Sequence, residues 1–203
     1  MNRLVVVGAR AMGREACSYA KDAGFVVKGF LDDKSDALNG FVGYPPILGS
    51  AEEYEVVPED VFVVALGDPI CRRYYVDLIA GRGGRFVSVV HPAAYIGTNV
   101  KMGVGCIICP HATITNDTVI GNHVIVNVNV SINHDNLIGN FVTICPGCCL
   151  AGRVSLGERI FLGAGAIIIP DVTLGSGVYV AAGATVIDSF ESGKLMGVPA
   201  KAK

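Results

Sequence analysis

An aliphatic side chain recurs at every sixth position in the second half of the chain, and this period limits the possible folds more than any other feature. From Ile96 to Val186, all sixteen positions in this phase hold an aliphatic residue or methionine, without an insertion. Seven of them are followed by glycine, at 97, 103, 121, 139, 157, 163 and 175. A six-residue period fits neither a helix nor an ordinary strand, but it fits a solenoid with one short strand and one turn per repeat.

The first ninety residues follow a different pattern, in which short apolar runs alternate with helical segments. We expect strands at 4–7, 25–33 and 61–68, and helices at 14–23 and 70–80. Strands that alternate with helices in this way predict a parallel sheet. The first part of the chain is therefore expected to be an α/β unit.

The six-residue pattern resembles the hexapeptide repeat of the left-handed parallel β-helix. In that fold three hexapeptides form one triangular coil, and the coils stack at the spacing of neighbouring strands, about 4.8 Å. We therefore expect a Rossmann-like α/β unit followed by a left-handed parallel β-helix. The expected domains are the α/β unit at 1–90, the β-helix at 91–190 and a C-terminal cap or tail at 191–203.

Composition excludes several classes of partner and predicts the compartment. The net charge of −2 gives no footprint for nucleic acid or for an anionic membrane, and the apolar runs are too short to span a bilayer. The N-terminal residues do not form a signal peptide, and seven cysteines without one predict reduced thiols in the cytoplasm. Charged residues make up 17% of the chain, against about 25% in typical soluble proteins, so part of the surface is expected to be covered in an oligomer.

His134 stands at an outward position of its repeat, midway between the inward positions 132 and 136. A step of one coil, or three repeats, leads from His134 to Gly152 in one direction and to Asn116 in the other. Gly152 has no side chain, so we expect its backbone N–H to lie next to the imidazole. The sequence alone leaves a solvated turn histidine as the alternative.

Nearly the whole chain resembles the bacterial nucleotide-sugar acetyltransferases, which include bacillosamine and perosamine N-acetyltransferases and the sialic acid O-acetyltransferase family. The most specific elements are the NHD segment around His134, the AG pair that ends at Gly152, and Asn127 seven residues before His134. The resemblance implies that His134 is the general base and that Asp135, often Glu in the family, strengthens it. It also implies that the Gly152 N–H stabilises the oxyanion and that Asn127 orients the histidine or the amine.

The same resemblance implies the two substrates. Acetyl-CoA would be the acyl donor, bound in the groove between neighbouring β-helices of a homotrimer, and its matching positions are Thr143, Ala164, Ala182 and Lys201. A nucleotide-linked sugar would be the acceptor, held by the loop GARAMG at 8–13, which follows a strand, opens a helix and commonly reads GASGHG in the family. The matching acceptor positions are Gly8, Arg10, Ala11, Met12, Asp32, Asp33, Gly67 and Arg72.

Metal sites are not expected, although two CxxC pairs are present. Cys109 and Cys145 share a face but lie two coils apart, roughly 10 Å by the strand spacing, whereas a Zn–S bond is about 2.3 Å. Cys106 and Cys148 fall at small inward positions and are expected to be packing thiols. The histidines at 91, 111, 123 and 134 lack the five-residue spacing of the trimeric β-helix carbonic anhydrases. O-acetylation of a sugar or of sialic acid and a non-enzymatic scaffold remain as alternative functions.

Overall fold

The computed structural model describes residues 3–203, and its first part is a five-stranded parallel sheet with two helices. Its elements are β1 (Arg3–Val7), α1 (Ala11–Asp22), β2 (Val26–Leu31), β3 (Ile47–Gly49), β4 (Asp60–Val64), α2 (Pro69–Ala80) and β5 (Arg85–Phe86). The strand order is β3-β2-β1-β4-β5, with every neighbouring pair parallel. The strands β2 and β3 are added on one side of β1, and β4 and β5 on the other. In parallel sheets, the carboxyl ends of the two strands at such a switch point form a crevice for ligands. We call this part the N-terminal unit.

Helix α1 begins at Ala11, three residues before the predicted start, whereas α2 begins close to its predicted position. Arg10 stands at the N-cap position of α1 without a side-chain hydrogen bond to the helix, so the sequence carries no capping signal there. Helix α2 has one, because the Asp68 carboxylate accepts hydrogen bonds from the N–H groups of Ile70 and Cys71. The short strands β3 and β5 lie in segments for which no strand was predicted.

The rest of the described chain is a parallel β-helix built from two-residue strands. The strands are β6 (Val89–Val90), β7 (Tyr95–Ile96), β8 (Lys101–Met102), β9 (Ile107–Ile108), β10 (Thr113–Ile114), β11 (Val119–Ile120), β12 (Ile125–Val126), β13 (Ser131–Ile132), β14 (Leu137–Ile138), β15 (Thr143–Ile144), β16 (Cys149–Leu150), β17 (Ser155–Leu156), β18 (Phe161–Leu162), β19 (Ile167–Ile168), β20 (Thr173–Leu174), β21 (Tyr179–Val180) and β22 (Thr185–Val186). Strands three apart in this order pair in parallel, so each coil contributes one strand to each of three sheets. The predicted α/β unit and parallel β-helix are confirmed.

The three sheets form the faces of a triangular prism. We call the sheet that contains β6, β9 and β12 the docking face, the sheet that contains β7, β10 and β13 the second face, and the sheet that contains β8, β11 and β14 the third face.

Turns join the faces at three corners. The alanine corner joins the docking and second faces and includes 127–130, 145–148, 163–166 and 181–184. The histidine corner joins the second and third faces and includes 115–118, 133–136, 151–154 and 169–172. The aromatic corner joins the third and docking faces and includes 103–106, 121–124, 139–142 and 157–160.

The aliphatic side chains at every sixth position form the core of the prism, as the sequence predicts. Fourteen of the sixteen phase residues are buried, and the exceptions, Ile96 and Met102, lie in the first coil, which has no coil below it to cover them. Cys106 and Cys148 are also buried in this core, which confirms that they are packing thiols.

The C-terminal tail extends the docking face with β23 (Lys194–Met196) and β24 (Lys201–Ala202). Strand β23 pairs in parallel with β21, and β24 pairs antiparallel with β23. The tail therefore covers the last coil on this face, where an open ladder would otherwise expose its edge.

The N-terminal unit packs on the docking face. The outward side chains of Ile107 and Ile125 on this face are buried in one apolar cluster with Ala16 and Ala20 of α1. The histidine corner is thus the corner opposite the N-terminal unit. Both α-helices have 12 residues, and no helix within residues 3–203 is long and apolar enough to cross a membrane.

Candidate active site

His134 and Asp135 form a hydrogen-bonded pair on the surface of the histidine corner. The Nδ1 atom of His134 lies 2.7 Å from Oδ2 of Asp135, and about half of each side chain is exposed. Asp135 has a left-handed backbone, with φ of 61°, at the sharp point of the turn. If Nδ1 carries the proton donated to Asp135, Nε2 is unprotonated, and within residues 3–203 it has no hydrogen-bond partner. The pair can therefore accept a proton from a bound molecule.

Gly152 lies against the His134 ring, one coil further along. A Cβ atom at Gly152 would stand 2.6 Å from Cε1 and 2.8 Å from Nε2 of His134, so any other residue would displace the imidazole. The Gly152 N–H donates to no acceptor in the part of the chain that the structure describes. The corner thus brings together a proton acceptor and an unused amide donor.

Asn136 ties these two turns together, and the sequence analysis did not identify it. Its side chain is fully buried, and Nδ2 donates to the carbonyl oxygens of Asn133 at 2.6 Å and Ala151 at 2.9 Å, while Oδ1 accepts from the Val154 N–H at 2.9 Å. These bonds link the His134 turn to the Gly152 turn. The available signal was an amide at an inward position, where most repeats have a small or aliphatic residue.

Asn127 does not lie beside His134 within one chain. It belongs to the alanine corner, one strand earlier, and its Nδ2 donates to the Ile144 carbonyl at 3.0 Å. Ala164 and Ala182 are exposed in successive coils of the same corner, where the Gly183 N–H donates to the Ala164 carbonyl at 2.9 Å. Lys201 is exposed in β24, next to Met196. Three of the predicted donor positions therefore lie toward the C-terminal end of the prism.

Thr143 and Arg72 meet each other in the joint between the N-terminal unit and the docking face. The Arg72 guanidinium is fully buried and donates to Thr143 Oγ1 at 2.9 Å, and Thr143 in turn donates to the Gly67 carbonyl at 2.7 Å. Five backbone carbonyls accept the remaining Arg72 bonds, those of Leu66, Gly67, His123, Phe141 and Val142. Burial lowers the pKa of Arg72 to about 10, so it stays charged at neutral pH. Both side chains are turned away from solvent, and their polar atoms bind the protein itself.

The other predicted acceptor residues do come together, in a cleft of about 400 Å³ at the carboxyl ends of β1, β2 and β4. The cleft is lined by Gly8, Arg10, Ala11, Met12, Asp32, Asp33 and Gly67, together with Tyr75 and several apolar residues. The Asp32 carboxylate shapes its rim by accepting the N–H groups of Ala9 at 2.9 Å and Lys34 at 3.0 Å. Helix α1 opens into this cleft without a side-chain cap, so its positive end is available to an anion.

Tyr75 is a cleft residue that the sequence analysis missed. Its hydroxyl donates to Oδ2 of Asp33 at 2.8 Å, which connects α2 to the loop after β2. Partial burial, followed by the hydrogen bond to Asp33, raises the pKa of Tyr75 well above its usual range, so the phenol stays protonated. No local signal separates this tyrosine from the exposed Tyr74 beside it.

Comparison with known proteins places this architecture in a family. A model of the PglD N-terminal domain matches residues 3–79, and a model of the bacterial transferase hexapeptide, six repeats, matches residues 153–188. The acetyltransferase domain of PglB from Neisseria gonorrhoeae is 31% identical, with full coverage of both chains and a TM-score of 0.92. This chain belongs to the hexapeptide-repeat acetyltransferases.

Two further solved structures resemble this acetyltransferase over its whole length. PerB from Caulobacter crescentus, solved in complex with CoA and GDP-perosamine, is 29% identical, with a TM-score of 0.93 and coverage of 100% of this chain and 98% of that one. WeeI from Acinetobacter baumannii is 25% identical, with full coverage of both chains and a TM-score of 0.89. The PglB domain has also been solved with acetyl coenzyme A. A sequence search of curated proteins found no match.

Proposed function

We propose that this acetyltransferase moves the acetyl group of acetyl-CoA directly onto an amino group of a nucleotide-linked sugar. The observation that carries the proposal is the His134–Asp135 hydrogen bond, with Nε2 unpartnered next to the unused Gly152 N–H. The complexes of PglB with acetyl coenzyme A and of PerB with CoA and GDP-perosamine support the choice of substrates.

The catalytic steps follow from the chemistry of the pair. Nε2 of His134 takes a proton from the amine as the nitrogen attacks the thioester carbonyl and forms the new C–N bond. The Gly152 N–H donates to the oxyanion of the tetrahedral intermediate. When the C–S bond breaks, the CoA sulfur takes up the proton from the imidazolium. Asp135 keeps the ring in the tautomer and orientation that expose Nε2 throughout.

The donor lies along the alanine corner in this proposal. Ala164 and Ala182 have side chains too small to block a groove between two prisms, and both are exposed. The pantetheine arm can therefore lie close to the backbone, with Lys201 near a phosphate of the donor. Asn127, at the same corner, faces the His134 of a neighbouring copy.

The acceptor nucleotide occupies the cleft of the N-terminal unit. Its diphosphate lies at the uncapped start of α1, beside Ala11 and Met12, where unpaired N–H groups and the helix dipole favour negative charge. Arg10 adds a cation at the same end, and Asp33 with Tyr75 offers polar atoms for the nucleoside.

A homotrimer completes the site. Within one chain the cleft belongs to the N-terminal unit, which packs on the docking face, whereas His134 lies at the opposite corner of the prism. A second copy can bring its cleft to that corner. The second and third faces also expose the apolar side chains of Tyr95, Ile167, Val119 and Leu137, which neighbours would cover.

The experiment that tests this function is thiol release from acetyl-CoA with a panel of UDP-, GDP- and dTDP-linked amino sugars, with sialic acid and serine included. We expect turnover with one nucleotide-linked amino sugar and a loss of roughly 10²–10⁴ in kcat in His134→Ala. Turnover with sialic acid alone, or with serine alone when the product carries an O-acetyl group, would establish O-acetylation instead. A wild-type rate in His134→Ala would remove His134 from the reaction.

A further inference from the structure

A column of polar residues runs along the histidine corner beside the catalytic pair. One residue in each coil has a left-handed backbone, with φ between 58° and 66°, so the side chains stack at intervals of one coil. The members are Asn99, Asp117, Asp135, Arg153 and Asp171. The column thus places three carboxylates and one guanidinium in a row, with Arg153 between Asp135 and Asp171.

Arg153 is bonded to the upper of its two carboxylate neighbours. Its Nε lies 2.6 Å from Oδ1 of Asp171 and its Nη2 lies 2.9 Å from Oδ2, which is a two-point pair. The Arg153 backbone N–H donates to the His134 carbonyl at 3.0 Å, so the side chain originates directly above the catalytic turn. Asp135, on the other side, is bonded to His134.

We propose that Asp171 is a positioning residue for His134, because it holds the Arg153 guanidinium away from Asp135. This inference rests on the proposed role of His134 as general base. Asp135 has one task in the mechanism, the hydrogen bond to Nδ1, and a guanidinium offers the same carboxylate two strong donors in a matching geometry. The ion pair with Asp171 keeps the Arg153 guanidinium from competing with His134 for the Asp135 carboxylate.

The other charged groups of the column leave Asp135 as the alternative partner of Arg153. Asp117 lies one coil below Asp135 and already accepts the Nδ2 of Asn99 at 3.0 Å. Asp135 is close enough to Arg153 to contribute to its raised pKa, after the larger contributions of the Asp171 hydrogen bond and charge. Without the Asp171 charge, the guanidinium is expected to turn to Asp135 and break its bond to the imidazole.

The test compares kcat and the proton NMR signal of the His134 Nδ1–H in the full-length enzyme. We expect Asp171→Asn to lower kcat roughly tenfold, a part of what the general base supplies, and to remove the downfield Nδ1–H signal. The double variant Asp171→Asn/Arg153→Ala should recover the wild-type rate, because it also removes the competitor. Asp171→Glu should retain both rate and signal.

Two further variants separate this role from a merely structural one. Asp77→Asn disrupts the exposed Arg73–Asp77 pair on α2, at 3.5 Å, and should leave kcat unchanged. In an Asp135→Asn background, Asp171→Asn should cause no further loss. A wild-type rate and signal in Asp171→Asn, or a double variant no faster than Asp171→Asn, would overturn the inference. If His134→Ala itself kept full activity, the proposed function would fail instead.

Discussion

Gly152 shows what a single residue contributes at the histidine corner. The same turn position holds Thr98, Asn116, His134 and Pro170 in the other coils, and in the first of these the Asn116 side chain caps the Thr98 N–H at 2.9 Å. At Gly152 the missing side chain leaves space for the imidazole. The residue one coil further along, Pro170, has no side-chain acceptor, so the Gly152 N–H stays free. Gly152 and Pro170 together therefore set the position of the proposed base and the donor beside it.

Gly152→Ala should slow the reaction without unfolding the protein. The new Cβ would overlap the His134 ring at 2.6 Å, and the exposed ring can rotate away at little cost to stability. We expect kcat to fall at least roughly tenfold, with a melting temperature close to that of the wild type. The matched control is the His134→Ala background, where the added methyl group meets no ring and should cause no further loss. Full activity in Gly152→Ala would contradict the stacked geometry.

His123 is a buried titratable residue at the aromatic corner. Its ring stacks on Phe141 with centroids 5.1 Å apart, and its Nδ1 has no hydrogen-bond partner within the described chain. Burial, and then the charge of Arg72, lowers the pKa of His123 to about 4. The folded state therefore keeps the ring neutral in a pH range where the unfolded chain binds a proton.

This difference predicts a loss of stability on acidification. Between pH 6.5 and about 4 the unfolded state holds one more proton, so His123 should lower the free energy of unfolding by about 3 kcal/mol as the pH falls through this window. His123→Phe should remove that part of the pH dependence, since Phe141 occupies the equivalent turn position with the same left-handed backbone. Urea unfolding at pH 7.5 and pH 4.5 measures it. His111→Phe is the matched surface control, and an unchanged pH dependence in His123→Phe would contradict the burial argument.

At the scale of elements, Arg72 connects helix α2 to the β-helix by hydrogen bonds. The guanidinium of Arg72 reaches the backbone of the aromatic corner and Thr143 of β15, with no carboxylate among its hydrogen-bond partners in the described chain. Its bonds also fix the carbonyls of Leu66 and Gly67 at the edge of the cleft. The joint thereby connects the cleft of the N-terminal unit to the β-helix.

Arg72→Met should therefore destabilise the protein much more than the neighbouring change Arg73→Met. Removal of the guanidinium leaves several buried carbonyls without a donor, and each such group costs about 1–3 kcal/mol. Arg73 is half exposed and pairs only with Asp77 on the same helix, so its loss should cost at most about 0.5 kcal/mol. Urea unfolding compares the two. Equal stabilities would show that the buried bonds do not hold the joint.

Local sequence patterns predict the β-helix and the outward direction of the His134 side chain, because the six-residue period fixes which side chains point inward. The same phase predicted that Gly152 lies beside His134. Contacts between distant segments have no such signal. The Arg72–Thr143 bond joins residues 71 positions apart in two units, so the sequence alone does not reveal that these two side chains bind each other. Asn136 was missed because its role depends on three backbone atoms that only the coil brings together.

At the scale of the whole molecule, the two parts of the proposed active site lie on opposite sides of one chain. The proposed acceptor cleft belongs to the N-terminal unit, which packs on the docking face, and the His134–Asp135 pair lies at the opposite corner. We expect size-exclusion chromatography with light scattering to give the mass of three 21.2 kDa chains. A stable, fully active monomer would contradict the shared site.

Subunit complementation tests this central claim most directly. Ala11→Glu places a carboxylate at the uncapped start of α1, where it should repel the diphosphate, and Ala11→Gln is its neutral control. Ala11→Glu and His134→Ala should each be inactive alone. In trimers reassembled from both, about a quarter of the sites should combine an intact cleft with an intact His134, and activity should return to that extent. Mixed trimers that form and remain inactive would contradict a site built from two copies of this chain.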